Sequence, residues 1–449
     1  MAQTRVNTRN KAHGLTLANL PRAFPVCSLL ALPNTIKIRI ILYLDQHSLT
    51  RTLLTCRYLR NLGTPLLYRY VTLNASRGLE FVSTLHANRN LPQFIEALTV
   101  HDHHTADTRY ARIMARTILH LRNLKHLKIK CCFTTMEWVS SEDVAAQNSL
   151  YVETLRAPFL DRLMSLEIGL SQTDPWAMAA RECIFRHRTL RKLCVIGCSM
   201  RDFNSFTPVM HHQTPLQYLR FLCCDIGPVT LAKILSVPRA LQDFTMMGSR
   251  QDGEVQFADA NAARYIEALK PQAHSLRQIR IGFWFLDPLK SSTLDFSHFG
   301  KLEDLIFTPY VLAHQGAGSP AHIDILPLIE TNSPFPPSLK VLGLYHLNPK
   351  TLSATETILM ATLSRLADCR LLPNLTTVTL FTPYFMEVPS ATATDSDLDY
   401  LQDYALPTPW DPAILGQIAV KRVRDPVMKG FPLDCECSDY HMGRVVLKS

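Results

Sequence analysis

The sequence predicts an α/β protein in which a small helical module precedes a stack of short parallel strands with helices on one face. Three observations carry this prediction. An apolar hexamer recurs along most of the chain, helical segments fall between its copies, and residues 32–75 carry apolar residues at helical spacing. We therefore expect a basic flexible leader (1–31), a helical module (32–75), the strand stack (76–388), and an acidic linker with a C-terminal cap or tail (389–449).

The hexamer has apolar residues at positions 1, 4 and 6. Its eleven copies lie 25 to 39 residues apart and begin at Tyr68, Ile95, Leu124, Leu163, Leu190, Leu216, Leu241, Leu276, Leu302, Leu339 and Leu375. One apolar hexamer is weak evidence for a repeat, but eleven at such spacings are strong evidence. Because strand side chains alternate between faces, positions 4 and 6 point into the core and positions 3 and 5 point outward.

Two copies extend further along the same pattern. The segment that begins at Leu190 reads L-x-x-L-x-V-x-x-C-x-M, and the segment that begins 26 residues later at Leu216 has the same spacing, as does LKHLKIKCC from Leu124. This is the leucine-rich repeat pattern, whose units cannot bury their own apolar side and therefore stack into a curved solenoid, a parallel sheet with outer helices. We expect Cys132, Cys198 and Cys224 to be buried turn residues, with Cys194 on the outward face.

Five helical segments are predicted between copies of the hexamer. The segment at 174–187 begins with an Asp at the N-cap and a Pro at the first helical position, which is typical of a helix start. The five predicted helices are 108–121, 174–187, 227–235, 261–270 and 354–369.

The module at 32–75 has two apolar stripes. Ile36, Ile40, Ile41 and Leu44 form the first, a turn follows at 45–48 with Ser48 as the N-cap, and the second stripe is Leu49, Leu53, Leu54 and Leu59. About forty residues build little core alone, so such a module leans on a partner or on the adjoining repeats.

This module resembles the F-box family, and the repeats after it are similar to those of F-box leucine-rich-repeat proteins. PLLYRYVTL (65–73) resembles fungal members in particular, while Lys37 stands where the family often has Leu. The matching residues are Leu32, Pro33, Ile36, Ile40, Leu44, Asp45, Ser48, Leu49, Cys56, Arg57, Pro65, Leu66, Leu67, Tyr68, Val71 and Leu73.

The resemblance implies a non-catalytic substrate-recognition subunit of a Skp–cullin–F-box ubiquitin ligase. The module would bind a Skp-type adaptor, and through it a cullin–RING ligase, as apolar anchors fill a groove. The repeats would hold a protein substrate. The anchors implied are Leu32, Pro33, Ile36, Ile40, Leu44, Leu49 and Leu53. The alternative is a ligase-independent leucine-rich-repeat scaffold whose N-terminal helices only cap the solenoid.

Outward positions 3 and 5 of the strands are the candidate substrate face. They include His126, Lys128, Lys192, Tyr218, Arg220, Gln278 and Arg280, a basic set that suits an acidic or phosphorylated segment. Acidic residues interrupt this set at Glu167, Asp243 and Asp304, so a mixed, solvated face is the other interpretation.

Other function classes lack a motif. No nucleotide-binding or common hydrolase signature occurs, so neither catalytic residues nor a cofactor is expected. HDHH (101–104) is interpreted as a surface loop and Cys435 and Cys437 as tail cysteines rather than metal ligands. No apolar run reaches the ~18 residues that a membrane helix needs.

The charge pattern leaves the location partly open. The net charge is +9, but it is not gathered into one run, so no nucleic-acid partner is expected. No acidic residue precedes Asp45. A basic leader of this kind fits a protein of the cytoplasm or nucleus, and it also fits a mitochondrial transit peptide.

Overall fold

The computed structural model describes residues 29–103, 108–132, 150–151, 160–169, 176–177, 184–200, 212–248, 261–282, 295–307, 335–345, 372–382 and 419–424. The chain divides into two compact units, Met1–Tyr68 and Arg69–Ser449. No helix in the described ranges is long and apolar enough to cross a membrane. Residues 1–28 of the leader and most of the C-terminal segment lie outside the described residues.

From residue 29 onward, the first unit, which we call the helical unit, is described as a 3₁₀ turn at Leu29–Ala31 and three helices. They are α1 (Asn34–Leu42), α2 (Gln46–Thr55) and α3 (Arg57–Leu67). The predicted N-cap of α2 is wrong: α2 begins at Gln46, and Asp45 caps it by accepting the Ser48 N–H at 2.8 Å. An Asp carboxylate satisfies an N–H group that has no partner inside the helix, which is why it prevails as the cap.

A small apolar core holds the three helices together. Ile41 from α1, Leu49 and Leu53 from α2, and Leu59 from α3 are all buried. Gly63 of α3 lies so close to Leu53 that an added Cβ would collide with the leucine side chain. The close approach of α2 and α3 therefore depends on a residue without a side chain.

The described residues of the second unit, which we call the sheet unit, form one parallel sheet of twelve strands and a separate short pair. In the large sheet every strand pairs with the next one along the chain. Its strands are β1 (Tyr70–Asn74), β2 (Ala97–His103), β3 (His126–Cys132), β4 (Ser165–Gly169), β6 (Lys192–Ile196), β8 (Tyr218–Cys224), β9 (Asp243–Gly248), β10 (Gln278–Gly282), β11 (Asp304–Phe307), β12 (Val341–Tyr345), β13 (Thr377–Thr382) and β14 (Ala419–Arg424). The pair is β5 (Trp176–Ala177) and β7 (Cys198–Ser199).

The eleven predicted hexamers place eleven of these strands correctly. Each strand begins two residues after position 1 of its hexamer. The backbone bonding at these starts also recurs. The carbonyl at position 2 of one unit accepts the N–H groups at positions 2 and 3 of the next: the Glu96 carbonyl accepts from Lys125 at 2.7 Å and His126 at 3.0 Å, and the Glu303 carbonyl accepts from Lys340 and Val341. The same pair of backbone hydrogen bonds therefore recurs between neighbouring units in distant parts of the sequence.

Two predicted boundaries need correction. Strand β2 continues through His103, so HDHH is not a loop beginning after Val100, because its first three residues pair in register with β3. The sheet also continues beyond residue 388, since β14 pairs with β13 inside the segment predicted as linker and cap.

Four helices are described in the sheet unit. They are α4 (Ala75–Ala87), α5 (Thr108–Leu119), α6 (Pro228–Leu235) and α7 (Ala262–Leu269). The last three confirm the predictions at 108–121, 227–235 and 261–270. The predicted helix at 174–187 is wrong in its described parts, where Trp176–Ala177 pairs with β7 and residues 184–187 form a turn. The predicted helix at 354–369 lies outside the described residues.

A buried glutamine fixes the connection that follows α6. The Gln272 side chain is 0% exposed. Its Nε2 donates to the carbonyls of Leu235 at 2.7 Å and Pro238 at 2.8 Å, and its Oε1 accepts the Leu241 N–H at 2.9 Å. One side chain thus contacts three backbone groups. The Pro238 carbonyl also lies 3.2 Å from His212 Nδ1, so the Leu235 carbonyl and the Leu241 N–H are the two groups that depend on Gln272.

Candidate functional site

The helical unit exposes an apolar stripe along α1. Ile36 is 40% exposed and Ile40 is 38% exposed, and the spacing of four residues puts them on one side of the helix. Tyr43, at the end of α1, is 89% exposed and continues the stripe. We call Ile36, Ile40 and Tyr43 the α1 stripe. Apolar side chains that a small unit leaves in water in a contiguous row are typical of a surface that a partner covers.

The opposite side of α1 explains why the stripe faces outward. Lys37 and Ile41 are the buried residues of the helix. The Lys37 ammonium lies 4.6 Å from the centroid of the Tyr58 ring and donates to the Tyr58 hydroxyl at 3.2 Å. That hydroxyl in turn hydrogen-bonds the Asn34 side chain. This contact ties α1 to α3 and fixes which side of α1 remains exposed.

The predicted adaptor anchors separate into two groups. Pro33, Ile36 and Ile40 are exposed, and Leu32 and Leu44 are half-buried. Leu49 and Leu53 belong to the core of the helical unit, so the prediction that they contact a partner directly is corrected: their side chains hold α2 against α3. Tyr43 was missed by the sequence analysis, although its position seven residues after Ile36 continues the same helical side.

The predicted substrate residues do share one face of the sheet. Register places Lys192 beside Tyr218, Lys128 beside Glu167, and Gln278 beside Asp304 on neighbouring strands. The Lys192 ammonium lies 4.9 Å from the centroid of the Tyr218 ring. His126 is exposed at the start of β3, and desolvation together with Lys192 and Lys125 lowers its pKa. His126 therefore carries little positive charge near neutral pH.

The acidic residues on this face neutralise the basic ones. Lys128 Nζ lies 2.8 Å from Glu167 Oε1, the Arg220 guanidinium lies 3.6 Å from Asp243, and the Arg280 guanidinium lies 3.7 Å from Asp304. Each of these three predicted substrate-binding cations therefore already has a carboxylate of its own protein as a partner. Among the described side chains at positions 3 and 5, Lys192 is the cation with no carboxylate recorded beside it.

The cysteine predictions are tested at three positions. Cys198 and Cys224 are buried as predicted, but they lie at strand ends rather than in turns: Cys198 begins β7 and Cys224 ends β8. The Cys224 thiol lies 3.3 Å from the Val195 carbonyl of β6. The side chain of Cys132 lies outside what the structure describes. Cys194 lies on the outward face, and desolvation, reinforced by Glu167, raises its pKa to about 12. The described residues contain no cluster of His, Cys, Asp and Glu that could hold a metal.

A row of charges beside the strand starts was missed by the sequence analysis. Position 2 of successive hexamers holds Arg69, Glu96 and Lys125, and the Glu96 carboxylate lies 3.1 Å from both cations. We call these three residues the closed triad. Desolvation raises the pKa of Glu96, but hydrogen bonds from Lys125 and Arg69 outweigh it, so the pKa is below its usual value. The signal was present as alternating charge at one repeat position.

Comparison with known families finds an F-box-like domain at residues 29–74. This range includes the helical unit from its first described residue and the strand β1. No curated protein matches the chain at significant similarity. The F-box-like domain points to F-box-mediated protein interaction, and the α1 stripe is an exposed apolar surface within that domain.

Proposed function

We propose that this protein is a non-catalytic substrate-recognition subunit of a Skp–cullin–F-box ubiquitin ligase, acting in the cytoplasm or nucleus. The observation that carries the proposal is the α1 stripe within an F-box-like domain. Covering the exposed parts of Ile36 and Ile40 would contribute roughly 1 kcal/mol each to binding, since full burial of an isoleucine is worth about 1.5–3 kcal/mol. Pro33 and the half-buried Leu32 and Leu44 flank the stripe and complete the adaptor surface.

In this function the chain performs no bond chemistry. The helical unit binds a Skp-type adaptor, and the sheet unit holds a protein substrate. Tethering raises the effective concentration of a substrate lysine near a ubiquitin-conjugating enzyme. Such a subunit needs one surface for the adaptor and another for the substrate, and the chain has two compact units that could each provide one of them.

The sheet unit is proposed to be a leucine-rich-repeat array. Three features support this. Strands follow chain order in one parallel sheet, the bonding of positions 2 and 3 recurs at the strand starts of the large sheet from β2 to β13, and the buried Cys198 and Cys224 occupy position 9 of two successive units. Units that have the same backbone hydrogen bonds to their neighbours and bury the same strand positions behave as structural repeats. Each unit then covers the apolar side of the next.

Adaptor binding tests the proposal directly. The full chain would be compared with an Ile36→Asp/Ile40→Asp variant in a titration against a purified Skp-type adaptor. Both substituted positions are exposed, so the variant is expected to fold. Two desolvated carboxylates opposite an apolar groove should weaken binding at least about a hundredfold, which is about 2.7 kcal/mol.

The control is Val229→Asp, which makes one such aliphatic-to-aspartate change at an exposed residue of α6 in the sheet unit. It should bind the adaptor as the unaltered chain does. Circular dichroism and thermal unfolding of each variant establish that it is folded. A folded, unaltered chain that does not bind the adaptor would refute the ligase function and leave a repeat scaffold capped by its N-terminal helices.

A further inference from the structure

A shallow cavity opens beside the starts of β11 and β12. It has a volume of about 330 Å³ and is lined by Arg277, Gly300, Lys301, Glu303, Ser338, Lys340 and Asn374. This volume is at the lower end of the range of about 300–1,000 Å³ for ligand sites. Arg277, Lys301 and Lys340 are exposed at its rim, so a ligand can reach them from solvent.

The charges of this cavity repeat the closed triad with one difference. Position 2 again reads basic, acidic, basic: Arg277, Glu303 and Lys340. Glu303 lies 3.0 Å from Lys340, but among the described residues no carboxylate is recorded within ion-pair distance of Arg277. In the closed triad the central glutamate contacts both cations. Here one glutamate contacts one cation, and Lys301 adds a third positive charge at the edge of the cavity.

Two further observations show that the cavity is built rather than incidental. The Ser338 hydroxyl donates to the Leu302 carbonyl at 2.8 Å, and the Asn374 amide donates to the Pro337 carbonyl at 2.8 Å, so the polar wall is fixed by the backbone. An added Cβ at Gly300 would meet no atom within 4 Å. Open space therefore lies next to the cations, and no side chain of Gly300 fills it.

We propose that this cavity binds the phosphate group of a phosphorylated protein segment. Three cations against one carboxylate leave an excess of positive charge, and a phosphomonoester carries about −1.5 to −2 charge near neutral pH with three strong acceptor oxygens. Arg277 would donate two parallel hydrogen bonds, and Lys301 and Lys340 would act as point charges. That the phosphate belongs to a ligase substrate rests on the proposed function, whereas phosphate binding itself does not.

This assignment differs from the one suggested by the sequence. The outward face was the expected place for an acidic or phosphorylated segment, but its cations Lys128, Arg220 and Arg280 are paired with carboxylates. The cavity residues Arg277 and Lys301 have no such partner recorded among the described residues. A phosphate therefore displaces no ion pair at these two cations.

The test is a binding titration of the full chain with a fluorescent phosphoserine peptide whose other residues are uncharged. The unphosphorylated peptide, a glutamate-substituted peptide and inorganic phosphate as competitor separate the sources of the negative charge. We expect the phosphopeptide to bind, inorganic phosphate to compete, and both other peptides to bind at least about tenfold more weakly, the difference that one lost charge-assisted contact produces.

Gly300→Asp is the decisive variant, because it places a carboxylate of the protein into the open space beside Lys301. It should weaken phosphopeptide binding at least about tenfold, whereas Gly300→Ala should bind normally. Arg191→Gln is the matched charge control, since Arg191 occupies position 2 of its own hexamer as an exposed residue away from the cavity.

Three results would overturn the proposal. They are the absence of phosphopeptide binding by the folded chain, equal binding of the glutamate peptide, and an equal loss of binding in Arg191→Gln and Gly300→Asp. Adaptor binding is measured on the same preparations. Gly300→Asp should retain adaptor binding, so failure of the phosphate site and failure of the ligase function give different outcomes.

Discussion

Replacing Gln272 with leucine should destabilise the sheet unit severely, although the two side chains are similar in size. The glutamine satisfies the carbonyls of Leu235 and Pro238 and the N–H of Leu241, and it is completely buried. Leucine leaves the Leu235 carbonyl and the Leu241 N–H buried without a hydrogen-bond partner, whereas the Pro238 carbonyl keeps its contact with His212 Nδ1 at 3.2 Å. Each orphaned group costs roughly 1–3 kcal/mol, so the low end of that range gives a loss of about 2 kcal/mol in the free energy of unfolding.

Urea unfolding followed by circular dichroism would measure this loss as a shift of the midpoint at constant slope. The matched control is Gln213→Leu, which makes the same chemical change at an exposed position. Surface substitutions of that kind change the free energy of unfolding by less than about 0.5 kcal/mol. The difference between the two variants therefore isolates the three backbone bonds from any effect of adding a leucine.

A Gln272→Leu variant that unfolds at the same urea concentration as Gln213→Leu would refute the reasoning. It would mean that the connection after α6 rearranges to pair its own backbone groups, or that water reaches them. A changed slope with an unchanged midpoint would also count against it, because the argument requires a less stable native state rather than a different amount of surface exposed on unfolding.

Three further predictions follow from particular contacts. Gly63→Ala should lower the unfolding free energy by about 1–3 kcal/mol in a melt of the full chain, because its Cβ collides with Leu53. Glu96→Gln should lower the free energy of unfolding by up to about 1 kcal/mol at pH values above the pKa of a glutamate in the unfolded chain. This difference from the unaltered chain should vanish as the pH falls through the lowered pKa of Glu96 in the folded protein. Unfolding measured for both chains across the acid range would show a constant difference if the reasoning is wrong. Cys194 should resist alkylation at pH 8, because a pKa of about 12 leaves roughly one thiol in ten thousand ionised. Peptide mass spectrometry would measure labelling of Cys194 against Cys56 as the reference. Rapid labelling of Cys194 would contradict the prediction.

The strand positions could be predicted from the sequence because each hexamer contains its own signal. Positions 1, 4 and 6 are apolar for the same reason in every unit, since the same side of each strand is buried. The exception is β14, whose register places Val420 at position 4 and Arg422 at position 6. Its hexamer begins with Gln417, so two of three positions are polar and the pattern does not detect it.

The parts that could not be predicted depend on neighbours distant in the sequence. Leu49 and Leu53 fit a partner-facing stripe equally well until Ile41 and Leu59 are placed against them. In the sequence alone, Lys37 departs from the F-box pattern, which often has Leu at this position. Its burial against Tyr58, 21 residues later, requires the α1–α3 arrangement, which no local pattern contains.

The charge on the outward face is the clearest case of a local pattern that changes meaning in the fold. Read along the chain, basic residues at positions 3 and 5 form a set that acidic residues interrupt. Read across the sheet, the acids lie beside the cations, and the described residues at positions 3 and 5 include four cations, Lys128, Lys192, Arg220 and Arg280, and three carboxylates. A charged partner would have to separate Lys128 from Glu167 or Arg220 from Asp243 to gain their charge, and the attraction it gains is offset by the attraction it breaks. We therefore expect the face to select partners by shape and by contacts such as that over Tyr218. Recognition of a phosphate falls to the cavity, where Arg277 and Lys301 need no such exchange and Lys340 alone is paired with a carboxylate, that of Glu303.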